Sequence, residues 1–418
     1  MQICIFEDIN YANFEPLMFS RPVYDLVCGM TSLKEKILRS YGKVKYSLHC
    51  RPYLDAIVKK ENPRIPVNKI DDDQCLFING RLLASDDLIE KLPLSSVEDR
   101  VFVNGETVIA AYLSGKNLEY KKNHLNDLFS VNDFNGLPVK ILNLQCANYL
   151  WDLINLNGQQ ITSDFNYFVN KLKRLNKINQ LEPSVNLINK ENIFIGNNVV
   201  VKPGVVLDAS GGPIYIDDDA VIYPNAVLEG PLYVGESSKI KSGATIYENV
   251  TISKVCKVGG EVEQSVFMPY SNKQHSGFIG HAYIGSWVNI GADTNCSDLK
   301  NNYSKVRIKL RDREVDSGSQ FLGLMIGDHS KSAINTMFNT GSVIGYSCNI
   351  FGSGFPEKYV PSFTWGGTEN SITYELPKAV ETAKVVLSRR KINFESEEQN
   401  LFEKIFELTK SDREKRGI

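Results

Sequence analysis

The 418-residue sequence lacks a strong excess of charge of either sign and has no long apolar run. Its 47 Lys and Arg residues are balanced by 49 Asp and Glu, a formal net charge of −2, so it lacks the net basic charge typical of nucleic-acid-binding proteins. No segment approaches the ~20 consecutive apolar residues of a transmembrane helix. These absences favour an enzyme of small-molecule metabolism, with neither a nucleic acid nor a membrane as partner.

Closely spaced cysteines are also missing. The eight cysteines occur singly, with no Cys-x-x-Cys pair, which predicts reduced thiols and excludes a disulfide framework or a zinc knuckle. The first residues carry acids at Glu7 and Asp8 and lack the basic start and long apolar core of a signal peptide. We therefore expect a cytoplasmic protein.

The chain changes its residue pattern three times, which predicts four segments. Residues 1–145 mix short β-type runs with helical ones, the pattern of an α/β domain. Apolar spacings of three and four make 146–189 a helical connector, and similar stripes make 371–418 a C-terminal helical tail. The tail either caps the end of the preceding domain or is a charged helical extension.

Within 190–370 an aliphatic residue recurs every six positions. The longest unbroken series is Ile216, Ile222, Leu228, Val234, Ile240, Ile246, Ile252 and Val258. The repeat returns at Phe278, Ile284 and Ile290, and again at Ile326, Phe338, Ile344 and Ile350 with Ser332 in the intervening position. Neither a helix nor a simple strand has this period, and a β-sandwich would not hold it over so many positions. The pattern predicts a left-handed parallel β-helix of hexapeptide repeats.

Segments 259–268, 275–285, 288–296 and 326–345 closely resemble one enzyme family. They look like the acetyltransferase half of the bifunctional N-acetylglucosamine-1-phosphate uridylyltransferase / glucosamine-1-phosphate acetyltransferase family, and like archaeal sugar-1-phosphate nucleotidylyltransferases with the same β-helix. The specific resemblance covers about 190–365. It implies acetyl transfer from acetyl-CoA to an amino-sugar 1-phosphate in nucleotide-sugar biosynthesis of the UDP-N-acetylglucosamine type. It also implies a homotrimer with active sites between neighbouring β-helices.

The resemblance assigns the catalytic base to His275. An ammonium is not a nucleophile, so a group that titrates near neutrality must take its proton. Asn289 and Ala292 match positions that orient the amine and offer a backbone N–H to the thioester oxygen, respectively. The alternatives are a loop histidine bonded only to its surroundings and an asparagine that belongs to a corner ladder.

Further positions are assigned to phosphate groups. Lys305 and Arg307 match a stretch that faces the phosphates of CoA, although their alternation is equally typical of a solvated strand face. Lys273 is a candidate ligand for the sugar 1-phosphate. The family's tyrosine three residues after the base is Phe278 here, which puts the identity of the acceptor in doubt.

The N-terminal segment resembles a sugar nucleotidyltransferase only faintly. Arg21 and Lys34 lie in a stretch similar to the family's opening loop, where they are candidate phosphate ligands or ordinary surface charges. The glycine-rich phosphate loop is absent, and Arg81 stands where a magnesium-binding aspartate is expected, although an arginine cannot ligate Mg²⁺. We therefore predict no metal-binding residues, and Mg²⁺ as a cofactor only if this domain is active. Two alternatives to acetyl transfer remain: nucleotidyl transfer with the β-helix as a scaffold, and a non-catalytic binding protein.

Overall fold

The computed structural model describes residues 1–95, 98–125, 128–368 and 370–418. The N-terminal region is an α/β unit built on one six-stranded sheet. In spatial order, its strands are Tyr46–Leu48, Gln2–Phe6, Gln74–Asn79, Thr107–Ser114, Arg100–Asn104 and Val139–Ile141. The first three strands run parallel, and Thr107–Ser114 runs antiparallel to both of its neighbours.

The parallel strands are apolar throughout because both faces of the sheet are covered. Ile3 and Ile5 belong to one buried cluster, whereas Cys4 and Phe6 belong to another on the opposite face. The covering helices are α1 (Leu33–Tyr41), α2 (Asp55–Glu61), α3 (Leu88–Lys91) and α4 (Gly115–Lys122). Short 3₁₀ turns lie at Ile9–Phe14, Leu17–Phe19, Val23–Asp25, Pro52–Leu54 and Val131–Phe134.

A two-stranded ribbon, Val27–Cys28 with Thr31–Ser32, leads into α1. The Ser32 side chain accepts a hydrogen bond from the Glu35 N–H, and the Glu35 carboxylate accepts from the Ser32 N–H. This capping box fixes the first turn of α1 and with it the position of Lys34.

The connector contains α5 (Leu150–Asn155), α6 (Asn157–Phe165), a π turn (Asn166–Lys171) and a 3₁₀ turn (Ile178–Gln180). Asp164 at the end of α6 is fully buried and binds the Lys36 ammonium at 2.6 Å. It also accepts the Met30 N–H at 2.7 Å, so one carboxylate joins the connector to the ribbon and to α1.

The remainder of the chain to residue 373 is a parallel β-helix with three faces. The docking sheet, which faces the N-terminal region, has strands Ile193–Ile195, Ile214–Ile216, Leu232–Val234, Val250–Ile252, Val266–Phe267, Tyr283–Ile284, Met325–Ile326, Val343–Ile344 and Tyr359–Val360. The second face has Val200–Val201, Val221–Ile222, Lys239–Ile240, Lys257–Val258, Asn272–Lys273, Lys331–Ser332, Asn349–Phe351 and Thr364–Gly367, with Ile372–Thr373 antiparallel at its end. The third face has Asn186–Ile188, Val206–Asp208, Val227–Glu229, Thr245–Ile246, Glu261–Glu263, Phe278–Gly280, Asn295–Cys296 and Met337–Phe338.

The structure confirms the predicted fold class and the inward direction of the hexapeptide positions. All eight aliphatic residues of the unbroken series are 0% exposed. The prediction for Phe278 is wrong by one residue, because Ile279 is the buried residue that pairs with Val262 and Phe278 points outward. The cause is a short step along the chain: the inward residues Ile279 and Ile284 are five positions apart instead of six, so counting back by six from Ile284 gives Phe278.

One edge of the β-helix, between the docking sheet and the second face, is marked by left-handed residues. Successive coils place a positive φ angle at Asn198, Asp219, Ser237, Val255, Tyr270, Trp287, His329, Ser347 and Phe363. We call this edge the cavity corner. We call the edge between the second and third faces the His275 corner, and the edge between the third face and the docking sheet the hairpin corner.

A hairpin, Arg307–Leu310 with Arg313–Asp316, is inserted at the hairpin corner. The chain ends in α7 (Leu376–Ser388), α8 (Ser396–Leu408) and α9 (Lys410–Glu414). These helices lie along the cavity corner and do not simply cap the end of the stack. Tyr374, just before α7, donates its N–H to Phe363 of a late coil, whereas Arg390, just after α7, reaches Asn272 of an earlier one.

Candidate functional site

His275 lies on the exposed surface of the His275 corner, directly beside the next coil. Asn272 is bridged to Asn289, and the Asp293 N–H donates to the Ser276 carbonyl at 3.2 Å. In both contacts the two residues are seventeen positions apart in the sequence. The same offset places His275 beside Ala292 on the next coil, at the ~4.8 Å spacing of neighbouring strands. The structure therefore brings His275, Asn289 and Ala292 together on two adjacent coils.

The loop that carries His275 is held by Lys273. The Lys273 ammonium donates to the carbonyl of Gly259 at 2.8 Å and to the carbonyl of His275 at 2.9 Å. Its side chain is 1% exposed, because Lys273 pairs with Val258 at an inward hexapeptide position. Burial lowers the pKa of the Lys273 ammonium to about 8. This ammonium is therefore turned toward backbone carbonyls under the loop, and its contact with a sugar phosphate stays a prediction.

Gly260 shows how closely the loop is packed. Its φ angle is +70°, and a Cβ atom there would lie 2.6 Å from the Lys273 Nζ and 2.7 Å from the His275 carbonyl oxygen. Only glycine fits this position, which keeps the His275 loop tight against the preceding coil.

Asn289 and Ala292 are held mainly through their backbones. The Asn289 N–H donates to Ser330 and its carbonyl accepts from Ser332, so its side chain is left on the exposed surface. The Ala292 carbonyl accepts from the Asn335 N–H at 2.8 Å, whereas the Ala292 N–H has no acceptor among the described residues. The corner thus presents an imidazole, an amide side chain and a backbone donor on one surface.

Lys305 and Arg307 do not meet His275 within one chain. They belong to the hairpin segment on a different corner of the β-helix, and both are exposed. The Arg307 guanidinium lies 3.7 Å from the Glu314 carboxylate across the hairpin, while Ile308 and Leu310 face inward. The predicted one-sided strand is present, and its cations are available to a ligand or to solvent.

Phe278 begins the strand that follows the His275 loop. Its N–H donates to the Asn295 side chain at 2.8 Å, and its half-buried ring lies close to Gly280. A phenyl ring offers no hydroxyl to a phosphate, so the hydrogen bond expected from a tyrosine at this position is missing.

Arg21 and Lys34 are brought together at a different place, a cavity of about 700 Å³. The cavity lies between the ribbon of the N-terminal region, the cavity corner and the C-terminal helices. Arg21 forms an ion pair with Asp328 of the β-helix, and Lys34 binds Asp25 at 2.6 Å. Neither cation is an ordinary exposed surface charge.

Sequence reasoning missed the other ionisable groups of this cavity. Glu61 at the end of α2 lines the cavity with an exposed side chain, and desolvation by the surrounding walls raises the pKa of its carboxyl to about 7, with Asp25 adding to the rise. Burial holds the pKa of the His329 imidazole well below its usual value. The one available sequence signal was the aromatic pair Tyr270 and Trp287, seventeen residues apart at equivalent corner positions.

The N-terminal residues do not fit a bound magnesium ion at the position of Arg81. The Arg81 guanidinium is 2% exposed and binds the Asp8 carboxylate at 2.6 Å, while Asn79 donates to the same carboxylate at 3.0 Å. A second buried pair, Glu7 with Arg51, lies at the same edge of the sheet. Among the described residues, no three His, Cys, Asp or Glu side chains are grouped as metal ligands.

One family model matches the N-terminal region. Residues 3–173 match the model described as sugar nucleotidyl transferase. The matched residues include the Arg81–Asp8 pair and three cavity cations, Arg21, Lys34 and Lys60.

The curated relatives agree with the resemblance seen in the sequence. A bifunctional sugar-1-phosphate nucleotidylyltransferase/acetyltransferase of Sulfurisphaera tokodaii is 29% identical over 148 residues, which cover 30% of this chain and 37% of that protein. The bifunctional protein GlmU of Bartonella quintana is 25% identical over 285 residues, covering 64% of this chain and 59% of that protein. This chain therefore spans less than two thirds of the length of either relative.

Among solved structures, this chain is similar to a UDP-N-acetylglucosamine acyltransferase of Bacteroides fragilis. It is 15% identical, covers 53% of this chain and 95% of its own, and has a TM-score of 0.29. Separately, none of the helices in the described part of the chain has the length and apolar character needed to cross a membrane.

Proposed function

We propose that this protein transfers an acetyl group from acetyl-CoA to the amine of an amino-sugar 1-phosphate, with His275 as the general base. The observation that carries the proposal is the alignment of His275 with Ala292 on adjacent coils of a hexapeptide β-helix. The relatives named as nucleotidylyltransferase/acetyltransferases support the choice of reaction. The product would serve the biosynthesis of a nucleotide sugar of the UDP-N-acetylglucosamine type.

Each residue of the corner has a defined task in this proposal. Acetyl-CoA supplies the activated acetyl thioester. The acceptor reacts as its neutral amine: the nitrogen attacks the thioester carbonyl while the His275 imidazole takes one proton from it, the C–S bond then breaks, and the same proton passes to the departing CoA thiolate. The Ala292 N–H is a donor for the oxygen on which negative charge develops, and Asn289 orients the amine. Lys273 acts indirectly, by fixing the loop through the His275 carbonyl.

We further propose that the site is completed by a neighbouring copy in a homotrimer. Lys305 and Arg307 lie on another corner of the same chain, so they can face the CoA phosphates beside His275 only from a second copy. The surface next to Ala292 supports contact between copies, since Ile334, one coil further on, is 69% exposed. Phe351 and Trp365 continue this exposed apolar surface on the following coils.

The corresponding division of the chain is part of the proposal. Segment 190–370 would carry acetyl transfer, and 1–145 would be a diverged nucleotidyltransferase-like domain, joined by 146–189 and followed by 371–418. We place the protein in the cytoplasm, where acetyl-CoA and sugar phosphates are available. Because Arg81 occupies the expected magnesium position, we assign no nucleotidyl-transfer step to the N-terminal region.

The test is release of CoA from acetyl-CoA in the presence of glucosamine 1-phosphate. We expect turnover by the wild type and a loss of about 10²–10⁴-fold in kcat for His275→Ala, the usual contribution of a general base. His124→Ala is the matched control, because His124 lies in the N-terminal region, where its half-buried ring stacks on the exposed Tyr120. Absence of turnover with any amino-sugar phosphate would refute the proposal, as would equal loss in both variants.

A further inference from the structure

The cavity at the cavity corner is formed by three parts of the chain that are distant in sequence. The N-terminal region supplies Arg21, Lys34 of α1 and Glu61 of α2, the β-helix supplies Trp287, and the C-terminal helices supply Phe402. Its volume of about 700 Å³ lies within the range of small-molecule sites in proteins. It is separate from the His275 corner, which is the next edge of the β-helix.

The charge of the cavity walls is unsuited to a polyphosphate. Among the described residues, the lining contains seven acids and four Lys or Arg: Asp25, Glu35, Glu61, Asp217, Glu236, Asp328 and Glu398 against Arg21, Lys34, Lys60 and Lys254. Three of these cations are already paired with carboxylates, Arg21 with Asp328, Lys34 with Asp25 and Lys60 with Glu398. The surplus of carboxylates favours a ligand that donates hydrogen bonds or carries a positive charge.

The lining that contains Glu61 of α2 also contains an aromatic surface. The rings of Tyr270 and Trp287 stack at 4.2 Å with an angle of 3° between their planes, one coil apart. His329 continues the stack at the next coil, 6.2 Å from Trp287. Flat aromatic faces attract cations and pack well against the apolar face of a sugar ring.

The walls also contain polar atoms that have no hydrogen-bond partner in the part of the chain that the structure describes. Ser253 is 6% exposed and its Oγ has no hydrogen-bond partner, and the same is true of Asp25 Oδ2 and Thr31 Oγ1. All three residues line the cavity. Buried polar groups without partners are costly, and a ligand with several hydroxyl groups would satisfy them after small side-chain movements.

From these observations we propose that the cavity is a second ligand site, which binds an amino sugar in its ammonium form. Carboxylates including Glu61 and Glu236 accept hydrogen bonds from the ammonium and hydroxyl groups, and the Tyr270–Trp287 surface packs against the ring. The site extends the proposed function, since it would bind the unacetylated sugar away from the acetyl-transfer surface.

The test is calorimetric titration of the full chain with glucosamine, N-acetylglucosamine and UTP. We expect saturable binding of glucosamine, weaker binding of N-acetylglucosamine because acetylation removes the charge, and no comparable binding of UTP. Glu61→Gln and Trp287→Leu should each weaken glucosamine binding by about tenfold, the loss expected for one charge-assisted hydrogen bond or one aromatic contact. Glu106→Gln, in an exposed turn, is the control and should bind as the wild type does.

His275→Ala separates this site from the proposed acetyl-transfer site. It should bind glucosamine in the cavity with unchanged affinity while losing turnover. The proposal is overturned if glucosamine does not bind, if N-acetylglucosamine binds equally well, if UTP binds in preference, or if Glu61→Gln has no effect. Glu61→Gln preserves shape and removes no hydrogen bond seen in the structure, so it remains informative even if Trp287→Leu fails to fold.

Discussion

Arg21 of the N-terminal region and Asp328 of the β-helix form an ion pair that joins the two halves of the molecule. The side chains are 15% and 4% exposed. Asp328 also accepts hydrogen bonds from the Ser20 hydroxyl at 2.7 Å and from the Ser286 N–H at 2.8 Å. One carboxylate therefore fixes Ser20 and Arg21 of the N-terminal region against the cavity corner.

The first prediction concerns this contact. Asp328→Ala should lower the free energy of unfolding by about 3 kcal/mol, because it leaves the Arg21 guanidinium buried without its partner. Chemical denaturation monitored by circular dichroism measures the change. Asp87→Ala removes a partner of the exposed Lys91 and should cost less than about 1 kcal/mol. Equal effects of the two substitutions would mean that the Arg21–Asp328 pair does not stabilise the junction.

The second prediction concerns Arg81. Arg81→Met should destabilise the N-terminal region by about 3 kcal/mol or more, since Asp8 would then be a buried carboxylate without its guanidinium. Added Mg²⁺ should not shift the melting temperature of the wild type, because Arg81 and Asn79 occupy the oxygens of Asp8. A rise in melting temperature with Mg²⁺ that Asp8→Asn abolishes would contradict this account.

The β-helix could be predicted from the sequence because its signal is repeated at every coil. Each aliphatic position faces the same crowded interior, so one register is reinforced many times. The prediction was wrong at Phe278, because the step between the inward residues Ile279 and Ile284 is five positions instead of six. One sequence shows where a repeat breaks, but not which residue resumes the inward position after the break.

The third prediction follows from the buried ammonium of Lys273. Its pKa is lowered to about 8 from an ordinary value of 10.5, so between these pH values the unfolded chain binds more protons than the folded chain. The free energy of unfolding should therefore rise with pH over this window, and Lys273→Met should reduce the rise. Lys331, whose pKa is also lowered to about 8 by burial, contributes a similar rise that remains in the variant. Denaturant titrations across this range give the comparison, and an unchanged slope in Lys273→Met would contradict the prediction.

The fourth prediction uses Glu61, whose pKa is raised from 4.5 to about 7. Between these values the folded chain binds more protons than the unfolded chain, so wild-type stability should decrease as the pH rises through the window. Glu61→Gln should lose this contribution. Melting temperatures of the two proteins, compared from pH 4.5 to pH 7, test the sign. A wild type that gains stability relative to the variant as the pH rises would show that the cavity does not raise the pKa of the Glu61 carboxyl.

The cavity could not be predicted from the sequence in the same way. Arg21 and Lys34 were recognised from their local segment, but their partners and neighbours come from residues as distant as Asp328 and Phe402. The exposed position of Lys305 could be predicted from strand alternation, whereas the buried orientation of Lys273 follows from a short coil in which Val258 pairs with Lys273, fifteen positions on. Contacts between segments that are distant in the sequence leave no repeated residue pattern, so a single sequence does not predict them.

The most direct measurement of the central claim is complementation between two inactive variants. We would co-express His275→Ala with Lys305→Ala/Arg307→Ala, each with a different affinity tag, and purify the mixed assembly through both tags. If His275 of one copy and the cations of the next form one site, every mixed trimer that carries both tags has about a third of its sites intact, one of three, and acetyl transfer to glucosamine 1-phosphate is recovered. Activity no higher than the mean of the separate variants would contradict the claim.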